Sequence, residues 1–214
     1  LRSRCDTEVL LLAWQRWHDR ALAHLIGHWA LAIYDTQERK LWLARDRFGE
    51  KPLYYHHDSE RIAFASSIEA LIAAPAVPRE LDPGAVMEYV TLRYVVSPRT
   101  VLRDVFKIPP GYLLEIASDG NVIEREWYSP RFSPVRATSR RSREALDEEF
   151  DHLFVQACER CLVSDVQVGL LLSDGLDSNS IRAALAARGL KPPSFTFRLR
   201  SSLSTTAPPG IQPD

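Results

Sequence analysis

The chain has few cysteines: Cys5, Cys158 and Cys161 are all there are in 214 residues. An odd, low count excludes a disulfide framework and fits a reducing compartment, so a cytoplasmic location is expected. Cys158 and Cys161 form a C-x-x-C without a second pair. Zinc would need more ligands, and two packed helix cysteines are the expectation. Charge of one sign is also missing: 27 basic residues against 28 acidic ones leave a net charge of −1. That gives no basic face for nucleic acid and none for a membrane surface. No apolar run approaches the length that spans a bilayer. The N-terminus, Leu1-Arg2-Ser3-Arg4, runs directly into Asp6-Thr7-Glu8 and is not a signal peptide. It has no initiator methionine, and the single methionine is Met87. The chain is therefore expected to begin inside a longer protein. There is no Gly-Lys-Ser/Thr phosphate loop and no internal repeat.

The hydrophobic fraction of 45% and charged fraction of 26% are those of a globular protein. Apolar periodicity predicts a helix from Glu8 to Leu25 on the stripe Val9, Leu12, Ala13, Trp17, Leu22 and Leu25, ending at Gly27. Alternation predicts hairpins at Trp29–Asp35 with Lys40–Arg45, at Pro52–His57 with Arg61–Ser66, and at Tyr112–Ala117 with Val122–Trp127. Helices are predicted at Ser67–Ala74 and from Pro83-Gly84 to Tyr94. Ser129 to Ser142 then holds two prolines, four serines and four arginines, and reads as a linker. An amphipathic helix over Arg143–Leu162 follows. Val166 to Leu172 reads as a buried strand, Ser180–Arg188 as a helix, and Ser194–Leu199 as a further strand. Ser201 to Asp214 reads as a disordered tail.

Between the buried strand and its helix stands Ser173-Asp174-Gly175-Leu176-Asp177-Ser178. A polar turn at a helix start presents backbone N–H groups and the positive end of the helix dipole, which together hold anions. Ser173 and Ser178 add hydroxyls. Asp177 adds a hard oxygen suited to Mg²⁺ on a polyphosphate. On residue types alone, an ordinary capped strand-to-helix turn remains the alternative.

Three stretches carry a resemblance to glutamine-dependent asparagine synthetases and their asparagine-synthetase-like relatives. Cys5-Asp6-Thr7-Glu8-Val9-Leu10-Leu11 is similar to the family's S-D-T-E-V-L-L. Leu43-Ala44-Arg45-Asp46-Arg47-Phe48-Gly49-Glu50-Lys51-Pro52-Leu53-Tyr54-Tyr55, with Phe64-Ala65-Ser66-Ser67 and Ile108-Pro109-Pro110-Gly111, is similar to its long central signature. Ser164-Asp165-Val166 running into Ser173 to Ser178 is similar to S-D-V-P-V-G-x-x-L-S-G-G-x-D-S. The matches cover about residues 5 to 199.

The resemblance implies an α+β glutaminase part of the N-terminal-nucleophile hydrolase type over residues 1–128. A linker follows at 129–142, and then the start of an α/β ATP-pyrophosphatase-type domain at 143–200. It implies an asparagine synthase (glutamine-hydrolysing)-type carbon–nitrogen ligase that adenylates a carboxylate, aspartate first among them, with ATP and Mg²⁺, then transfers glutamine-derived ammonia. Asp6 is expected to bind the α-amino group of glutamine. Ser173, Asp174, Gly175, Leu176, Asp177 and Ser178 are expected to hold the pyrophosphate, with Asp177 on Mg²⁺ and with Leu171 and Phe197 lining the adenosine site. Glutamine, ATP and a carboxylate are the expected partners, with a homodimer as the macromolecular option.

No catalytic residue is assigned, because the family's N-terminal nucleophilic cysteine is not in this sequence and Cys5 takes the place of a serine. The loop also reads S-D-G where the family has S-G-G. Asp174 either repels phosphate by roughly a kcal/mol or more, or binds the metal. Resemblance fades after Leu199, so an incomplete chain is expected. The alternative is a non-catalytic remnant with at most nucleotide binding. Other pyrophosphatase-type ATP enzymes, such as NAD or GMP synthetases, are disfavoured by the glutaminase-like first half. No chemical role is evident for Arg45 and Asp46 beyond a mutual ion pair.

Overall fold

Alternating apolar residues in β1 (Ala30–Asp35), β2 (Lys40–Arg45) and β6 (Tyr112–Ile116) need cover on both faces of one sheet, and the computed structural model supplies it. The structure describes residues 2–3, 5–58, 61–75, 77–132 and 141–197. It divides into two units, residues 1–134 and 135–214.

In the first unit, β1, β2, β6 and β7 (Val122–Glu126) form an antiparallel sheet in the order β1-β2-β6-β7. Leu31, Ile33, Trp42, Ala44 and Leu113 face α1 (Asp6–Trp17) and a 3-10 segment at His18–His24, packing with Trp14, Ala21 and Leu22. Their neighbours Leu43, Leu114 and Ile116 point to the opposite face and pack with Leu53 and Ile108. Tyr55 of β3 (Tyr54–His57) joins that layer. A second sheet has the order β4-β3-β5, with β4 at Ile62–Ala65 and β5 at Val105–Lys107. Its other face packs on Leu71 of α2 (Ile68–Ile72). The layers are thus helix, sheet, sheet, helix. α3 (Pro83–Leu92) starts at Pro83, with the Asp82 carboxylate accepting from the Gly84 and Ala85 amides.

The three predicted hairpins pair as antiparallel strands. The first helix differs from expectation. It stops at Trp17, and His18 takes φ 49°, before the chain resumes as a 3-10 turn. The break shifts the inward face to Leu10, Ala13 and Trp14, then Ala21 and Leu22, while Val9, Leu12 and Trp17 stay exposed.

Gly111 fixes the entry to β6. Its φ is +72°, and a Cβ there would lie 2.3 Å from the Tyr128 carbonyl oxygen. The Trp127 and Tyr128 amides both donate to its carbonyl. Gly120 also has positive φ, but nothing lies within 4 Å of its would-be Cβ. Gly120→Ala is therefore expected to cost about 1 kcal/mol of backbone strain alone. Gly111→Ala adds a backbone clash and should cost about 3 kcal/mol or more. Urea midpoints of the two variants check this, and equal losses would show that the Tyr128 contact is not limiting.

In the second unit, α4 (Arg143–Arg160) packs against α5 (Leu176–Ala187) through Cys158, Ala184 and Leu185. β8 (Leu170–Leu171) and β9 (Ser194–Phe195) pair in parallel on either side of α5 in the sequence. This is a small βαβ unit, as the α/β expectation requires. Two expectations change. The run Val166–Leu172 is not a buried strand: only Leu170 and Leu171 pair, and Val166 and Leu171 are exposed. Only one of the C-x-x-C thiols packs, for Cys158 is buried and Cys161 exposed. Burial pushes the Cys158 thiol up from its ordinary pKa. Most of the expected linker, the end of the last strand and the whole expected tail lie outside the described residues.

Candidate functional site

Two places gather the predicted residues. The first is a cavity of about 450 Å³ in the first unit, lined by Asp6, Thr7, Val9, Leu10, Leu25, Ile26, His28, Trp29, Ala30 and Leu31. Asp6 opens α1 and is exposed. Its carboxylate accepts from the Thr7 hydroxyl at 3.5 Å and the Cys5 thiol at 3.6 Å. Among the described residues no cation pairs with it, and the cavity it borders has a largely apolar wall.

The wall is set by the central signature. Asp46 is 2% exposed and accepts four backbone N–H groups. Trp29 and Lys51 donate to Oδ2 at 3.3 and 3.1 Å, and Phe48 and Glu50 donate to Oδ1 at 3.0 and 3.1 Å. Burial alone would raise its pKa, yet these four amides hold it below the usual carboxylate range. Arg45 does the complementary job. Its guanidinium donates to the carbonyls of Gly49, Lys51 and Ile108. Arg45 and Asp46 therefore serve the loop backbone rather than one another, and the expected ion pair gives way to this division of labour.

The second place is the turn after β8. The six-residue motif does not precede its helix: Gly175 caps α5, and Leu176, Asp177 and Ser178 form its first turn. Cap-type residues read as loop in sequence, which set the predicted start four residues late. Ser178 Oγ lies 3.0 Å from Ser173 Oγ and accepts from the Ser173 amide at 3.1 Å. Asn179, which the sequence reading passed over, donates its amide to the carbonyls of Ser173 at 3.0 Å and Gly175 at 2.8 Å. Both carbonyls are thereby occupied. The N–H groups of Asp174, Leu176 and Asp177 have no protein acceptor among the described residues. Nor does any cation pair with the Asp174 or Asp177 carboxylate among them. Asp174 is not among the positive-φ residues, so the aspartate in S-D-G sits on unstrained backbone. Leu171 ends β8 and Phe197 lies two residues beyond β9, 68% and 88% exposed. This is the strand end where open α/β sheets bind ligands.

The glutamine amidotransferase domain family matches residues 1–128, and the asparagine synthase family matches residues 149–207. The chain belongs to the glutamine amidotransferase family. This amidotransferase chain is 33% identical over 193 residues to asparagine synthetase [glutamine-hydrolyzing] 1 of Bacillus subtilis, covering 90% of this chain and 29% of the relative. Asparagine synthetase [glutamine-hydrolyzing] 3 of the same organism is 34% identical over 185 residues, covering 85% and 29%. Among solved structures, the glutamine phosphoribosylpyrophosphate amidotransferase from B. subtilis, complexed with ADP and GMP, is 18% identical. It covers 98% of this chain and 43% of that one, with a TM-score of 0.40. The amidotransferase chain thus spans less than a third of the length of these curated relatives. Among the described residues no helix is long and apolar enough to cross a membrane.

Proposed function

We propose that the chain is the junction region of an ATP-dependent, glutamine-hydrolysing, asparagine-synthetase-like ligase. The first unit contributes the α-amino end of a glutamine site at Asp6. The second binds the phosphates of ATP on Ser173 to Ser178, with Leu171 and Phe197 beside the adenosine. A carboxylate, aspartate by the relatives' names, is converted to an acyl-adenylate, and ammonia from glutamine displaces AMP. A carboxylate is a poor electrophile, and an AMP leaving group splits one hard step into two easier ones. The three free cysteines fit a reducing compartment such as the cytoplasm.

The observation that carries the ATP reading is the set of amides at Asp174, Leu176 and Asp177 that have no protein acceptor among the described residues, while Asn179 occupies the carbonyls of Ser173 and Gly175. Among the described residues no cluster of three metal-ligating side chains exists. That suits Mg²⁺, which binds through one or two carboxylates plus phosphate oxygens rather than in a protein cage. Asp177 is the residue that would hold it, and the ion would offset the charge of the departing pyrophosphate.

Calorimetry with Mg-ATP tests the reading. Binding should require Mg²⁺ and be competed by inorganic pyrophosphate. Asn179→Ala should weaken ATP and pyrophosphate by the same factor, about tenfold, equivalent to roughly 1.4 kcal/mol. No Mg-ATP binding by the unsubstituted chain would remove the nucleotide reading. Weakening confined to ATP would move Asn179 from the phosphates to the adenosine side.

A further inference from the structure

Arg47 is part of the central signature, and neither proposed activity uses it. Its guanidinium donates to the carbonyls of Ala23 and Leu25, where the 3-10 turn ends and the cavity wall begins. On its faces it meets two rings, with Cζ 5.5 Å from the Trp127 centroid and 5.4 Å from that of Tyr128. Trp127 in turn stacks on Trp29, at 5.4 Å between centroids and 24° between planes, and Trp29 lines the same cavity. No carboxylate pairs with Arg47 among the described residues. Its charge is met by carbonyl dipoles and π faces alone.

We propose that Arg47 is a positioning residue for the glutamine cavity, tethering the wall Leu25–Trp29 to Trp127–Tyr128, the two residues that follow β7. The inference rests on the glutamine reading of that cavity. The wall is a short run through Gly27, at φ +117°, with Ile26 and His28 exposed. It is fixed at its far end by the Trp29 amide on Asp46. At its near end the tether is Arg47. A flat cation with two parallel donors can grip two carbonyls while its faces hold two rings. A lysine ammonium offers charge without that plate. Displacement at Trp127–Tyr128 is therefore transmitted to the wall that glutamine touches, and glutamine binding tightens those two residues in return.

The test measures site-resolved amide hydrogen exchange and glutamine titrations on the 214-residue chain and its Arg47→Met, Arg47→Lys and Tyr128→Leu variants. Arg47→Met should speed exchange about tenfold at Ile26–Trp29 and at Trp127–Tyr128 together, and leave the β3–β4 hairpin unchanged. It should also weaken glutamine at least fivefold. Arg47→Lys should fall between the two. Tyr128→Leu should loosen the Leu25–Trp29 wall in the unsubstituted chain but add nothing in the Arg47→Met background. Additive effects, or loosening on one side only, overturn the tether. If glutamine shifts no resonance of Asp6, Leu25 or Trp29 in the unsubstituted chain, the glutamine reading fails, while the exchange pattern still decides the role of Arg47.

Discussion

Asp46→Asn should lower the stability of the first unit by about 3 to 5 kcal/mol at neutral pH, a large part of what a domain of this size possesses. The two side chains are nearly the same shape, so the loss isolates hydrogen bonding. An amide keeps one acceptor oxygen and turns the other into a donor. Two of the four N–H groups, either those of Trp29 and Lys51 or those of Phe48 and Glu50, would then face an NH₂ in a site that water does not reach. Each buried amide left unpaired costs about 1 to 3 kcal/mol, and the charge-assisted share of the other two bonds is lost as well.

The same carboxylate gives the prediction a pH signature. Its folded pKa lies below the ordinary value, because four amides outweigh the burial that would raise it. A depressed folded pKa means stability that is present above the unfolded value, about pH 3.9. It is lost as pH falls through the folded value. The neutral asparagine has no such dependence. Urea midpoints from pH 7 down to pH 2 should therefore converge in acid, with the unsubstituted chain losing stability faster than the variant below about pH 4. A gap under about 0.5 kcal/mol at neutral pH, or one that stays constant through acid, would contradict the role assigned to Asp46.

Asp46 and its neighbour Arg45 show what could and could not be read in advance. The hairpins were legible, because alternation and turn residues are local. So was the polar turn from Ser173 to Ser178 that leads from a strand into a helix, because its residue types sit in one short run. The parts that escaped depend on partners far away or on backbone. Arg45 and Asp46 stood in a conspicuous signature, but their partners are main-chain groups of Trp29, Lys51 and Ile108, which no side-chain pattern announces. β5 is three residues long and takes its strand character from pairing with β3. The break after Trp17 runs through His18 at positive φ, with no glycine to mark it. Val166 to Leu172 had the composition of a buried strand, but burial depends on what lies alongside, and here Val166 and Leu171 remain exposed. Asn179 was passed over for a similar reason: its partners are the carbonyls of the turn it follows.

In the proposed phosphate loop, the two aspartates should respond in opposite directions. Asp177→Asn is expected to weaken Mg-ATP at least tenfold, because the amide cannot match a carboxylate as a ligand for a hard cation. The cost in stability should be small, about 0.3 to 1 kcal/mol, the worth of one negative charge in a first helical turn. Asp174→Gly is expected to tighten Mg-ATP about threefold to tenfold, by removing a negative charge beside phosphate oxygens near a protein surface. Because Asp174 already sits on unstrained backbone, the gain should come from charge and not from glycine's freedom. Asp174→Asn should therefore tighten binding about as much as the glycine variant. Calorimetry of all three variants across a Mg²⁺ titration separates the possibilities. Tightening by glycine but not by asparagine would mean that close backbone approach to the phosphates matters more than charge. Weaker binding by both Asp174 variants, largest at low Mg²⁺, would make Asp174 a second metal ligand and S-D-G a working form of the loop.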